Sequence, residues 1–430
     1  MRKPHQGYVY FILFLLIHSA VWAQNYPKLS IKEVEKRAKY YQQLTAPVEA
    51  SQTYQVNPKL PFTSLAFRAA MGTNWADTYV IVDQDTFRVQ AEEHETEGLS
   101  YSQSTLLVWD RPVRQFLLHT GSVQDSIILS LFNAQTGKTT PPALRQERVT
   151  AEDPVCEKPT YIPQDEWRAG LPPPSYSRSF TQVEHVIIHH SATYNNLTDY
   201  ENIVRNIYLF HTQDRGWSDI GYNFLVAPDG TLFEGRSAGS QNIEPDNIQG
   251  AHFCGRNSGT MGVCMLGNYN TVEPTDTALA TIIKVTSWKL DKENLDPLGI
   301  EPHPANSELG VIAGHRNGCS TECPGDNLYA RLEAIRTATE ERISKGCRDT
   351  PQVFNAYPVP TEGILTITLP EADTTATLTL IDLQGQELML PVLQKSDDQL
   401  SLDTSSLPTG MYIVEVRTAL AVLTRKILVQ

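Results

Sequence analysis

Three side chains in the middle of this chain have the types and spacing of metal ligands. One apolar segment ends at His189-His190, and a second ends at His315. Cys323 follows His315 by eight residues. Two imidazoles and one thiolate, with a fourth position left for water, are typical of a catalytic zinc site rather than of a closed structural one. The spacing therefore predicts a catalytic Zn²⁺ centre at the ends of two strands.

The neighbouring His190 and the predicted ligand Cys323 each need a separate interpretation. Successive side chains of a strand point to opposite faces, so His190 should point away from the side that His189 enters. Cys323 could instead form a disulfide with Cys319 or Cys347. The motif around Cys323 favours the ligand.

Ordered motifs between residues 178 and 345 resemble those of type 2 N-acetylmuramoyl-L-alanine amidases, a family that includes peptidoglycan recognition proteins. They follow the family's order: Ile187–Thr193, Gly216–Phe224, Asp229–Arg236, Gly250–His252, Gly262–Tyr269 and Gly314–Gly325. The resemblance implies an α/β domain, a mixed sheet flanked by helices, over residues 178–347. It also implies hydrolysis of the amide that joins muramic acid to L-alanine in peptidoglycan.

Carried over by position, the family's zinc ligands fall on His189, His315 and Cys323. Its catalytic tyrosine falls on Tyr222 and its second polar active-site position on Thr321. Members that bind without cleaving typically lack the cysteine ligand, so Cys323 favours an enzyme. The rival interpretation is a recognition module that binds peptidoglycan without cutting it.

Three further residues are candidates for contact with the substrate. His252 and Asn257 are predicted to lie on loops, in the region that lines the substrate groove in the family. Arg236 ends the third of the motifs above and is the third candidate. His211, on a helix predicted from Asp199 to Gln213, is expected to pack in the interior.

The start of the chain predicts export. Residues 1–23 have a basic Arg2-Lys3 start, a nine-residue apolar core and a small-residue cleavage site that ends at Ala23, which together are typical of a signal peptide. The apolar stretch is too short to span a membrane, for which about 20 residues are needed. No later segment reaches that length, so we expect no transmembrane segment in the mature protein.

Export makes disulfides expected among the six cysteines, which all lie between residues 156 and 347. Cys156 with Cys347 would tie the ends of the central domain together. Cys254 with Cys264 would close a small loop. The sequence alone leaves the pairing open.

Both flanks of the central domain are predicted to be β-rich, which makes the chain multidomain. Residues 24–150 read as a β-rich accessory domain with a charged helix over Ile31–Gln43, and residues 151–177 as a proline-containing linker. Short alternating strands with Gly, Pro, Asp and Ser turns predict a β-sandwich over residues 353–430. Four strands are expected in the first flank and three in the second: Ser64–Arg68, Tyr79–Val82, Thr105–Trp109 and Ser126–Leu131, then Ile364–Leu369, Ala376–Ile381 and Met411–Val416.

The C-terminal sandwich resembles the sorting domain of the Bacteroidetes type IX secretion system. The resemblance rests on Tyr357–Gly363, Asp382–Gln386 and Leu407–Tyr412, with the basic pair Arg425-Lys426 near the end. It implies type IX secretion machinery as a partner and a secreted or cell-surface location. An ordinary accessory sandwich is the alternative. The net charge of −14 argues against a nucleic-acid partner, because such binding needs a positive field.

Overall fold

The structure is a computed structural model. It describes residues 26–93, 99–135, 137, 156–174, 178–237, 245–347, 354–369, 376–388, 390, 392–396, 398–417 and 422–430. The predicted signal peptide lies outside these ranges. Within them, no helix has the length and apolar character needed to cross a membrane.

The N-terminal region, residues 26–135, consists of two antiparallel sheets. Its ten strands, β1 to β10, are Lys32–Ala38, Tyr41–Val48, Thr53–Val56, Phe62–Ala70, Tyr79–Val82, Asp85–Arg88, Tyr101–Gln103, Leu107–Val113, Phe116–His119 and Asp125–Phe132. One sheet has the order β1-β2-β10-β4-β7 with β8 on β4, and the other has the order β3-β9-β5-β6. The four strands predicted here correspond to β4, β5, β8 and β10.

The helix predicted over Ile31–Gln43 is wrong. This segment forms β1, a turn at Lys39-Tyr40, and the start of β2. β2 pairs with β1 on one side and with β10 on the other, and its Leu44 and Ala46 are buried in the cores. The charged residues have helical propensity, but pairing and burial of β2 override it.

The central region is built on a five-stranded mixed sheet, as expected. Its strands and helices, in chain order, are α1 (Gln164–Trp167), β11 (His185–His190), α2 (Tyr200–Leu209), β12 (Phe224–Val226), β13 (Leu232–Glu234), β14 (Thr260–Met265), α3 (Asp276–Glu293), β15 (Ile300–His303), β16 (Asn306–Gly310), β17 (Ile312–Gly314), α4 (Asp326–Ala330) and α5 (Leu332–Ser344). The sheet order is β13-β12-β14-β11-β17, with only β13 antiparallel to its neighbour. β15 and β16 form a separate hairpin.

Helices cover both faces of this sheet because its strands are buried on both sides. On one face, Val186 and Val263 share a core with residues of α3 and α5. On the other face, Leu225 and Cys264 share a core with α2. That second core continues into the N-terminal region through Tyr41, Ala66, Leu106 and Phe132.

Residues 156–174, within the predicted linker, pack on the edge of the sheet. Ile162 forms a bridge with Phe233 of β13, and Trp167 of α1 is fully buried. The Trp167 indole N–H donates to the carbonyl of Glu234, at 2.8 Å.

Two disulfides close the central region. Cys156 bonds to Cys347, with Cα atoms 4.9 Å apart, so the predicted tie between the ends of the domain is present. The Cys254–Cys264 pair considered above is wrong, because Cys254 bonds to Cys319. Cys264 lies inside β14, buried and free, and its side chain belongs to the core against α2.

The C-terminal region, residues 354–430, contains two four-stranded sheets. Its strands, β18 to β25, are Asn355–Tyr357, Ile364–Thr368, Thr377–Ile381, Glu387–Leu388, Val392–Lys395, Gln399–Asp403, Gly410–Arg417 and Val422–Val429. The sheets have the orders β18-β19-β23-β22 and β21-β20-β24-β25, and one core lies between them. The three strands predicted here correspond to β19, β20 and β24.

Candidate metal centre and active site

The predicted ligands meet at one edge of the central sheet. β11 and β17 are parallel neighbours, so their carboxyl ends lie side by side. β11 ends at His189-His190, and His315 follows β17 directly. Cys323 lies in the loop before α4.

The three ligand side chains fit a tetrahedral metal site. The ligand atoms of His189, His315 and Cys323 all lie within 4.8 Å of one another, and all three residues are buried. The His189 Nδ1 to Cys323 Sγ distance is 3.6 Å. Zinc bonds of about 2.3 Å to sulfur and about 2.0 Å to nitrogen at a tetrahedral angle would separate these atoms by about 3.5 Å. Cys323 also lies outside both disulfides, so the disulfide interpretation of this residue does not hold.

Backbone and imidazole contacts orient two of these ligands. The His190 backbone N–H donates to Cys323 Sγ at 3.4 Å, which fixes the position of the sulfur beside β11. His189 Nε2 lies 3.0 Å from His252 Nδ1. With Nδ1 of His189 facing the thiol, its Nε2–H donates to His252, and such a bond fixes the tautomer and the ring orientation of a ligand histidine.

Tyr222 lies against the metal ligands. It is 4% exposed, and its ring centroid is 5.2 Å from that of His189. Burial, followed by the neighbouring Cys264 and Cys323, raises the pKa of Tyr222 well above its ordinary value. The phenol therefore keeps its proton at neutral pH and is a hydrogen-bond donor.

Thr321 lies beside the ligand loop. Its hydroxyl accepts the backbone N–H of Cys323 at 3.1 Å. It also lines a cleft of about 780 Å³ between the central region and the N-terminal region, whose walls include Glu92 and Glu322. This cleft gives solvent-sized molecules a route to the Thr321 side of the site.

The three predicted substrate contacts are buried, and one of them, His252, lies beside the ligand His189. Burial, followed by the charge of Arg236, lowers the pKa of His252 to about 3, so this imidazole is neutral. Asn257 Oδ1 accepts the backbone N–H groups of His252 and Phe253 at 2.7 and 2.9 Å. Arg236 donates to the carbonyls of Ile220 and Gln249. These bonds hold the loop behind His189, and contact of the three with substrate stays a prediction.

One further polar residue near the predicted ligands, Glu93, was missed by sequence reasoning. Glu93 comes from the N-terminal region, 97 residues before its partner His190, whose Nε2 lies 2.8 Å from Glu93 Oε1. His190 is buried on the opposite side from the ligands, as strand alternation predicts. No motif surrounds Glu93, so only the folded chain reveals it.

The comparisons with known proteins match two regions of this chain to known families. Residues 179–326 match the family model of N-acetylmuramoyl-L-alanine amidase, and residues 355–430 match that of a secretion system C-terminal sorting domain. Peptidoglycan-recognition protein SC2 of Drosophila simulans is 31% identical over 175 residues, which cover 40% of this chain and 84% of that protein. Peptidoglycan recognition protein 1 of Mus musculus is 33% identical over 176 residues, covering 40% and 86%. The N-acetylmuramoyl-L-alanine amidase of Homo sapiens is 32% identical over 155 residues, covering 34% of this chain and 24% of that protein.

The chain belongs to the family of N-acetylmuramoyl-L-alanine amidases and peptidoglycan recognition proteins, which confirms the resemblance seen in its motifs. Its central region has the fold of that family, and its function is related to peptidoglycan. The sorting domain implies secretion or a cell-surface location.

Proposed function

We propose that this protein is a secreted, zinc-dependent N-acetylmuramoyl-L-alanine amidase, which hydrolyses the amide between muramic acid and L-alanine. The observation that carries the proposal is the buried cluster of His189, His315 and Cys323 at the carboxyl ends of β11 and β17. The donor set suits zinc, and the 3.6 Å separation of nitrogen and sulfur suits its bond lengths.

Zinc bound to this cluster would act as a Lewis acid that polarises the scissile carbonyl and makes a water molecule acidic enough to attack at neutral pH. The protein's own contribution is to place hydrogen-bond donors where charge develops. A tyrosine hydroxyl is protonated at neutral pH, and Tyr222 lies against His189, so its hydroxyl is suited to stabilising the oxyanion. Thr321, at the cleft, offers a second hydroxyl.

The alternative is a module that binds peptidoglycan without cleaving it. Both functions use the same groove, and the names of the relatives include recognition proteins as well as an amidase. The complete ligand set, with Cys323 buried beside His189, favours the enzyme.

Tyr222→Phe tests the catalytic part of this proposal. The variant keeps the ring and its packing but removes one transition-state donor, which typically costs about 10²–10³ in rate, or about 2.7–4 kcal/mol. Zinc content and muropeptide affinity should remain near the wild-type values. Mass analysis of peptidoglycan digests would measure the release of stem peptides that begin with L-alanine.

Tyr208→Phe is the matched control, because Tyr208 is also a buried tyrosine whose hydroxyl bonds within the protein, to the carbonyl of Pro172. It should retain the wild-type rate. A wild-type protein that carries about one zinc per chain and releases no such peptides would favour the binding module instead. Cys323→Ser should lose both the metal and the activity, whereas His190→Ala should lose far less of either.

A further inference from the structure

Glu93 of the N-terminal region joins the two segments that carry metal ligands. Its Oε1 lies 2.8 Å from His190 Nε2, and its Oε2 accepts the backbone N–H of Glu322 at 3.2 Å. His190 directly follows the ligand His189, and Glu322 directly precedes the ligand Cys323. One carboxylate thus connects the end of β11 to the ligand loop.

Both partners of Glu93 are hydrogen-bond donors. The backbone N–H of Tyr269 donates to His190 Nδ1 at 3.2 Å, so a neutral His190 carries its proton on Nε2 and donates it to Glu93. The second partner is a backbone N–H, which can only donate. A carboxylate has acceptors on both oxygens, whereas a carboxamide would turn its NH₂ group toward one of the two donors.

The N-terminal region holds Glu93 from the other side. The preceding residue, Glu92, donates its backbone N–H to the carbonyl of Gln103 at 2.9 Å, and Ala91 forms a bridge with Ser104. The Glu93 side chain is 17% exposed, and its partner His190 is fully buried. Glu93 therefore directly follows a segment that is bonded to the end of β7 and to Ser104, while its carboxylate reaches the two segments that carry the predicted ligands.

We infer that Glu93 is a positioning residue, through which the N-terminal region holds His190 and the Cys323 loop in the geometry that binds the metal. The inference rests on the proposed function. The two carboxylate bonds described above go to His190 and Glu322, so Glu93 acts through the neighbours of His189 and Cys323. The His190 backbone N–H also donates to Cys323 Sγ, which links the end of β11 directly to the ligand loop.

The test uses the full chain with Glu93→Gln, which preserves the size of the side chain and removes one acceptor. Loss of an outer contact of this kind typically weakens metal binding about 10- to 100-fold, and we expect about 10-fold because Glu93 acts through the backbone. Competition with a chelator would measure the zinc affinity. Asp85→Asn is the matched control, since Asp85 is an exposed acidic residue of β6 in the same region.

A second measurement distinguishes a local effect on the Cys323 loop from a general destabilisation of the central region. It needs no metal. In metal-free protein, the alkylation of Cys323 and of Cys264 by iodoacetamide would be followed by peptide mass analysis. Cys264 is also buried and also lies outside both disulfides, but it is inside β14. Glu93→Gln should speed alkylation of Cys323 and leave that of Cys264 unchanged, and Asp85→Asn should change neither.

Unchanged zinc affinity and unchanged Cys323 alkylation in Glu93→Gln would overturn the inference, as would equal acceleration at both cysteines. A wild-type protein that binds no zinc would contradict the proposed function instead. In that case the alkylation of Cys323 still decides the role of Glu93.

Discussion

The two β-rich flanks look alike in sequence, but they relate differently to the central region. Apolar residues of the N-terminal flank, such as Tyr41, Leu106 and Phe132, share one core with Ile203 and Ile207 of α2. The C-terminal flank has a core formed by its own residues. One flank is thus packed as part of the central unit, and the other as a unit of its own.

The hydrogen bonds show the same difference. The side chain of Asn206 in α2 accepts from the hydroxyls of Thr63 and Ser64 at 3.0 and 2.7 Å, and Arg68 pairs with the buried Asp214 at 2.8 Å. Among the described residues of 354–430, the recorded side-chain bonds stay within that range, as for Tyr412, which donates to the carbonyl of Pro408. The N-terminal flank is therefore joined to the central region by buried polar contacts as well as by a shared core.

The largest expected effect is at the N-terminal contact. Asp214→Ala leaves Arg68 without its ion-pair partner and removes the acceptor of the Ser130 hydroxyl. Removing one member of a buried pair typically costs about 3–5 kcal/mol in the free energy of unfolding. Urea unfolding of the full chain would measure this cost.

The matched change in the other flank is Glu415→Gln, which breaks the Arg417–Glu415 pair on β24. Arg417 is 56% exposed, so the expected cost is below about 1 kcal/mol. If Asp214→Ala cost no more than Glu415→Gln, the Arg68–Asp214 pair would contribute no more to stability than an exposed ion pair. The contact between the N-terminal flank and the central region would then be weaker than its burial indicates.

Local sequence patterns were enough to find the cluster of candidate metal ligands. His189 and His315 each end an apolar strand, and Cys323 follows at a spacing that a short loop can span. Parallel strands bring their carboxyl ends together, so local signals sufficed to place these side chains at one edge. The structure brings the three together as the motifs indicate, although their roles in catalysis stay predictions.

Contacts between residues that are distant in the sequence could not be predicted in the same way. The segment 31–43 has local helical propensity, but β1 pairs with β2, and β2 in turn pairs with the distant β10. Glu93 has no motif, and its partners lie 97 and 229 residues further along the chain. Likewise, Cys254 pairs with Cys319 rather than with the nearer Cys264, because β14 holds Cys264 inside the sheet.

The next prediction concerns the pH dependence of stability. It involves residues 156–174, the segment that leads from the N-terminal flank into the central sheet. Residues of this segment bury Glu234: the backbone N–H of Gln164 donates to its carboxylate at 2.6 Å. Burial raises the pKa of Glu234 from 4.5 to about 7, with Lys158 opposing the shift and Asp165 and Asp219 adding to it. The carboxyl is thus held in its neutral form more strongly in the folded state than in the unfolded state.

Because the folded state keeps this proton to higher pH, stability should fall as the pH rises from about 4.5 to about 7. At 1.36 kcal/mol per pKa unit, the fall is about 3 kcal/mol. Glu234→Gln should remove this part of the slope in urea unfolding across that range. In the C-terminal flank, bonds from Ser405 lower the pKa of Asp403 from its ordinary value of 3.8, so it titrates below this range and Asp403→Asn should leave the slope unchanged. A slope that survives Glu234→Gln would assign it to another group.

The smallest effect is expected when the C-terminal flank is removed after residue 353. The Cys156–Cys347 disulfide closes the central region before that point, and the core of residues 354–430 is self-contained. The truncated protein should therefore match the full chain within about 0.5 kcal/mol in the unfolding of its central unit, as expected for a change away from buried contacts. Its zinc content and amidase rate should also match.

If the sorting domain acts as its family implies, the extracellular protein should begin near Gln24 and end near residue 353, which mass analysis of the secreted form would check. An intact C-terminus on that form would contradict removal. A truncated protein destabilised as strongly as Asp214→Ala would show that the second flank is joined to the enzyme as firmly as the first.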